Sequence, residues 1–121
     1  MWTFLPLVLA GLMGAAGVAL AALAAHTAPG AGLDGASRML LIHAVAVLAA
    51  GALAASGRLW NAAAHLATAG WIVGGVLFAG DITLRALTGH KLFPMAAPTG
   101  GTLLIAAWLI FALAAAVSRR S

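Results

Sequence analysis

The sequence predicts an all-α integral membrane protein, an antiparallel four-helix bundle of transmembrane helices joined by short loops. Three observations support this prediction: 64% of the residues are hydrophobic, only six basic and two acidic side chains occur among 121 residues, and the apolar residues fall into four long runs. An average soluble domain is about 45–50% apolar and about 25% charged. So few charges cannot cover a soluble globule, which excludes a soluble enzyme, and so much apolar surface excludes a disordered chain.

The four apolar runs cover residues 2–25, 37–56, 60–87 and 99–118. A helix needs about 20 apolar residues to cross a hydrocarbon core that is about 30 Å thick. The runs are continuous rather than alternating, which predicts helices and not the strands of a membrane barrel. The first run has no basic region before it and is longer than the apolar core of a signal peptide, so we interpret it as a membrane span.

The segments between the runs contain the residues expected of helix ends and turns. Asp34 or Ser37 is predicted to cap the second helix. Ser56 and Gly57 predict a tight turn, so the second and third helices should form an antiparallel hairpin. A longer loop that begins at Thr88 and contains two prolines is expected before the fourth helix. Four helices place both termini on the same side of the membrane.

The positive charges indicate an orientation for this bundle. Those on the side of the termini are Arg58, Arg119 and Arg120, and those on the other side are Arg38, Arg85 and Lys91. Asp81, four residues before Arg85, can neutralise it, and the remaining excess predicts cytoplasmic termini by the positive-inside rule. The cations lie at the ends of apolar runs and not on one clustered face, so no nucleic-acid partner is expected.

Glycines mark the faces on which helices are predicted to pack. Gly11, Gly14 and Gly17 recur every three residues in the first helix, and Gly70 and Gly74 form a GxxxG pattern in the third. Small residues allow the close backbone approach by which helices associate in lipid. The alternative is that glycine and alanine are simply abundant in this chain.

Polar residues inside the membrane are costly and therefore point to a site. Helical rise places six residues in the half of the membrane away from the termini, where we expect them to form a polar pocket: His26, His43, Asp81, Arg85, Thr99 and Gly100. Asp81 is either a proton, cation or ligand site, or one half of an ion pair with Arg85 that holds the third helix in place. The Pro98–Gly101 stretch at the start of the fourth helix is expected either to hold an anion, such as a lipid phosphate or the Asp81 carboxylate, or to pack against the third helix.

The histidines suggest hydrogen bonds rather than a cofactor. His26 and His43 can hydrogen-bond across helices or bind a metal or haem, but no histidine pair has the spacing of metal ligands along a helix, and the chain has no cysteine. We therefore predict no metal and no cofactor. Without a nucleophile–base pair or a metal motif, we also expect no enzymatic activity and no catalytic residue.

Several motifs resemble those of a known family. They are Ala25-His26, His43-Ala44, the stretch Leu77-Phe78-Ala79-Gly80-Asp81 with Leu84, Ala86, Leu87, Thr88 and Gly89, and the stretch Ala97-Pro98-Thr99-Gly100-Gly101 followed by Ala107-Trp108. Their order and spacing resemble the YgdD-like family of small bacterial inner-membrane proteins, known as domain of unknown function 423. The resemblance implies four transmembrane helices, cytoplasmic termini and a plasma-membrane location, and it implies no known biochemical activity.

These observations favour a non-enzymatic membrane protein that associates with itself or serves as an accessory subunit of a membrane complex. Its expected partners are the lipid bilayer and either a second copy or another membrane protein. One alternative is an oligomeric component for ion, proton or small-molecule transport. Another is a protein that binds lipid or quinone. Both alternatives would use the polar cluster around Asp81.

Overall fold

The computed structural model describes residues 4–26 and 32–118, and these residues form four α-helices and no strand. The helices are α1 (Phe4–Ala24), α2 (Leu33–Ala55), α3 (Asn61–Thr88) and α4 (Ala96–Ser118). Each is long and apolar enough to cross a membrane. The predicted all-α membrane bundle is therefore confirmed. Positions 2 and 3, Arg119 and Arg120 lie outside the described residues.

Helix α2 begins at Leu33, four residues earlier than predicted, and neither Asp34 nor Ser37 caps it. The N-cap is Gly32, whose φ of 85° lies in the left-handed region that glycine adopts without strain. Asp34 lies inside the first turn and pairs with Arg38 at 2.9 Å between Oδ2 and Nη2. Its negative charge is favourable there because it faces the positive end of the helix dipole.

Ser37 faces α1 instead. Its Oγ donates a hydrogen bond of 2.7 Å to the carbonyl oxygen of Gly17, and its side chain is buried. At Gly17 an added Cβ would lie 2.7 Å from Cγ of Leu41. Glycine at this position therefore lets α1 approach α2 closely enough for the hydrogen bond to form.

Helix α4 begins at Ala96 and not at Thr99. Pro98 consequently lies in its first turn, where a missing N–H removes no intrahelical hydrogen bond. The residue before the helix, Met95, has a φ of 68°, and its carbonyl oxygen accepts the N–H of Thr99 at 2.9 Å.

The tight turn between α2 and α3 forms where it was predicted. Gly57 has a φ of 77°, and the N–H of Arg58 reaches back to the carbonyl oxygen of Leu53 at 2.9 Å. The start of α3 is also joined to the end of α4, because Oγ of Ser118 accepts the N–H of Trp60 at 2.8 Å. The turn fixes the antiparallel arrangement of α2 and α3.

The helices pack mainly with their neighbours along the chain. α2 contacts α1 and α3, α3 contacts α4, and α1 reaches α3 at only a few points. Within the described residues, the backbones of α1 and α4 do not approach each other closely. The bundle is therefore open along the side where these two helices would have met.

The core lies between α2, α3 and α4 around Trp71, which is completely buried. Val47 and Ala50 of α2 and Leu104 of α4 belong to the same cluster. Helix α1 contributes less, since only Ala10, Met13 and Gly17 of its 21 residues are buried. Most of its apolar surface is left for lipid.

Candidate functional site

Asp81 is a fully buried carboxylate near the end of α3. Its Oδ1 accepts the backbone N–H of Leu92 at 2.9 Å, and its Oδ2 lies 3.0 Å from Nη2 of Arg85. One side chain thus connects α3 to the loop that leads to α4.

A buried charge is tolerated only when it is paired and hydrogen-bonded. The side chain of Arg85 is 45% exposed, so this cation reaches the edge of the protein while its carboxylate partner stays inside. Oδ1 is hydrogen-bonded to the loop, and the buried Oδ2 is paired with Arg85 but has no hydrogen bond among the described residues. This arrangement supports the interpretation of Asp81 and Arg85 as an ion pair that fixes helices.

His43 lies apart from this cluster in a separate aromatic group. Its Nδ1 lies 2.6 Å from the carbonyl oxygen of Met39, and its Nε2 accepts the indole N–H of Trp108 at 3.0 Å. Only the neutral tautomer with the proton on Nδ1 satisfies both bonds. Both ring nitrogens are then engaged, and neither has a lone pair free to bind a metal.

The ring of Trp108 continues this group into α3. Its centroid is 4.7 Å from that of Trp71, and Trp71 lies 5.6 Å from Phe111. Within the described residues the indole N–H of Trp71 has no hydrogen-bond partner. The backbones of α2 and α4 make no contact in the described part of the chain, so the bond between His43 and Trp108 joins two helices across α3.

Sequence patterns did not identify Trp108 as the partner of His43. One signal was available: His43 lies ten residues after the start of α2, and Trp108 lies twelve after the start of α4. Both helices start on the same side, so the two side chains lie at similar depths, about 15–18 Å from their helix starts. Depth alone does not tell which face of each helix a residue occupies.

The other predicted pocket residues lie elsewhere. His26 is exposed at the end of α1, and Thr99 is exposed in the first turn of α4. Gly100 is buried against α3, where an added Cβ would lie 2.6 Å from the carbonyl oxygen of Gly74. The structure therefore brings together Asp81 and Arg85 but gives the other four predicted residues different surroundings.

An apolar groove of about 690 Å³ lies between α1 and α3. Its walls include Leu12, Ala16 and Leu20 of α1 and Val76, Thr83 and Leu87 of α3. A second cavity of about 420 Å³ shares Leu9 and Ile72 with it and is also lined by His65 and Thr68. None of the six predicted pocket residues lines either cavity.

No group of three or more histidine or acidic side chains among residues 4–26 and 32–118 is placed to hold a metal ion. The polar groups that lie inside the bundle instead serve as links between helices. The groove, in contrast, is formed almost entirely by apolar side chains, and the chemistry that it offers is the burial of hydrocarbon.

Comparison with known proteins gives one family match. A family model described as "Protein of unknown function (DUF423)" matches residues 13–101. This stretch runs from within α1 to within α4 and includes Asp81, Arg85 and His43. Among curated proteins and among solved structures, none matches the chain significantly.

Proposed function

The chain belongs to the DUF423 family, whose function is unknown, and we propose that it is a non-enzymatic membrane protein that associates with itself through α1. The observation that carries this proposal is an unoccupied small-residue face on that helix. Gly11, Ala15, Val18 and Ala22 are all exposed. Their spacing of three or four residues places them along one face of the helix.

The three glycines of α1 differ in what surrounds them. A Cβ on Gly17 would meet Leu41, whereas a Cβ on Gly11 or Gly14 would meet no atom within 4 Å. Gly17 is thus used within the monomer, and the other two are available to an additional helix. Small residues favour such contacts because helices in lipid associate by close backbone packing.

A contact with another helix can come from a second copy or from a larger membrane complex. We favour a second copy because α1 offers a self-complementary row of small residues, and an accessory-subunit role is the alternative within the same proposal. We place the protein in a bacterial inner membrane with both termini cytoplasmic. The distribution of basic residues in the sequence supports this orientation.

A transport role receives less support. Proton or ion transfer through Asp81 and His43 needs groups that can exchange partners with a moving ion. Asp81 is already bound by the loop and by Arg85, and both nitrogens of His43 are engaged. These contacts favour fixed structural roles for Asp81 and His43. They therefore support a non-enzymatic protein that has no conduction path of its own.

Native mass spectrometry of the chain purified in mild detergent tests the proposal. We expect the wild type to form dimers or higher oligomers. The variant Gly11→Leu should weaken them by about tenfold, since interfaces of small residues tolerate little added volume. Chemical cross-linking in native membranes gives an independent measurement of the same assembly.

Gly51→Leu is the matched control, because Gly51 is also exposed, and a Cβ there also meets no atom within 4 Å. It lies on α2 rather than on α1. A wild-type protein that is strictly monomeric and purifies alone would disprove the proposal. Equal weakening by both variants would place the interface away from the small-residue face of α1.

A further inference from the structure

The groove between α1 and α3 opens sideways towards lipid. α1 and α3 touch at only a few points, and the gap between them has Leu40 of α2 among its lining residues. Its walls are almost entirely aliphatic. In a bilayer, hydrocarbon is the surrounding medium, so an aliphatic groove with a lateral opening is suited to an acyl chain.

One end of the groove is polar and lies where α3 ends. Thr88 and Leu92 line the groove there, and Lys91, next to Leu92, is exposed. No carboxylate of the described residues forms an ion pair with Lys91. This end therefore carries a net positive charge.

Thr83 gives the groove wall an unusual hydroxyl. Threonine hydroxyls in helices commonly bond the carbonyl oxygen four residues earlier, as Thr88 does with Leu84 and Thr102 does with Pro98. The hydroxyl of Thr83 is buried and has no hydrogen-bond partner among the described residues. A rotation about χ1 exchanges its methyl and hydroxyl groups and turns the hydroxyl towards the groove.

The order of these groups along α3 matches the order of groups in a phospholipid. Thr83 lies five residues before Thr88, which is about 7.5 Å deeper along the helix. Lys91 lies just beyond the end of the helix, the free hydroxyl of Thr83 comes next, and the aliphatic walls follow. A phosphate, an ester carbonyl and an acyl chain are arranged in the same sequence.

We propose that this groove is a binding site for one anionic glycerophospholipid. Its acyl chain lies between α1 and α3, its ester carbonyl accepts a hydrogen bond from Thr83, and its phosphate lies over Lys91. The site is formed within one chain. It therefore does not depend on self-association through Gly11 and the face beside it.

Native mass spectrometry with added phosphatidylglycerol, and separately with phosphatidylcholine of the same acyl chains, tests this site. Wild-type protein should retain one phosphatidylglycerol per chain in preference to phosphatidylcholine. Ala16→Phe fills the groove and should reduce retention by about tenfold or more. The matched control is Ala49→Phe, at an exposed residue of α2 that neither lines the groove nor belongs to the small-residue face of α1, and it should retain lipid like the wild type.

Two further pairs of variants separate the contributions of Thr83 and Lys91 to lipid retention. Thr83→Val should weaken retention about fivefold, the value of one hydrogen bond, while Thr83→Ser should restore it. Lys91→Gln should lower the preference for the anionic lipid by about two- to fivefold, whereas Arg58→Gln, at the opposite membrane face, should not. Thr83→Val preserves side-chain volume and therefore tests the site even where Ala16→Phe does not fold.

Equal retention by Ala16→Phe and Ala49→Phe would overturn the groove as the binding site. Equal retention of the two lipids by the wild type would overturn the assignment of an anionic headgroup. The same spectra report the number of chains in each particle. A failure of self-association is therefore distinguished from a failure of lipid binding.

Discussion

The two sides of α3 pack differently against their neighbouring helices. On its α4 side, backbones touch: a Cβ on Gly100 would lie 2.6 Å from the carbonyl oxygen of Gly74, and Asp81 joins α3 to the loop before α4. On its α1 side, the helices barely meet and leave a groove of about 690 Å³. α1 is attached mainly to α2, where the hydrogen bond from Ser37 to Gly17 lies.

This difference shows what the polar residues of the bundle do. Inside lipid a polar group is stable when it has a hydrogen-bond or ion-pair partner within the protein. Asp81 finds a partner in the loop before α4, and His43 finds one in α4 itself. The open side lacks such links between α1 and α3, so a cavity remains there. The site available to a ligand consequently lies on the apolar side of α3 rather than among its buried charges.

The largest effect should come from closing the space between α3 and α4. Gly100→Ala places a methyl group against the backbone of Gly74 and the N–H of Phe78, so the helices must separate. We expect a loss of about 1–3 kcal/mol of unfolding free energy in detergent micelles. Gly101→Ala is the control, since its Cβ would lie 3.8 Å from the ring of Phe78, and it should be neutral or slightly stabilising. Equal stability of the two variants would contradict the close contact.

Two ion pairs of identical sequence spacing should contribute differently to thermal stability. Asp34 with Arg38 and Asp81 with Arg85 have similar lengths, 2.9 and 3.0 Å, but the Asp34 side chain is 67% exposed and that of Asp81 is fully buried. Exposed pairs contribute little, while breaking a buried pair leaves partners unsatisfied. Asp81→Ala should lower the midpoint of thermal unfolding by roughly 5–10 °C and Asp34→Ala by at most about 2 °C.

Hydrogen exchange should locate the difference between these two variants. In Asp81→Ala, the amide of Leu92 loses its acceptor and should exchange faster. In Asp34→Ala, exchange in this region should be unchanged. Similar unfolding midpoints for the two variants would show that burial of Asp81 does not strengthen the connection between α3 and α4.

The sequence was sufficient to predict the four helices, because span length and apolar composition are set by the bilayer and not by details of packing. The starts of α2 and α4 were harder to predict. α2 begins at a glycine in a left-handed conformation, which has no side-chain capping signal. α4 follows Met95, a residue other than glycine with a positive φ of 68°, and no local sequence pattern predicts that conformation.

The candidate site was predictable only in part. Helical spacing linked Asp81 with Arg85, because the two lie on one helix at i and i+4. Helical spacing could not predict that His43 contacts Trp108 and not Asp81, because that contact depends on how α2 and α4 are rotated about their axes. The groove left no sequence signal of its own, because its aliphatic residues look like any other lipid-facing residues.

The smallest effect should come from the attachment of α1. Ser37→Ala removes the hydrogen bond to Gly17, but that carbonyl oxygen lies inside a helix and keeps its intrahelical partner, so the loss should be only about 0.5–1 kcal/mol. Ser56→Ala, which removes an exposed bond to Leu53, is the control and should have almost no effect. In Ser37→Ala the amides of α1 should exchange faster while those of α3 and α4 do not. Uniformly faster exchange in all four helices would instead show that α1 is as integral to the bundle as α4, and the contrast between the two sides of α3 would not hold.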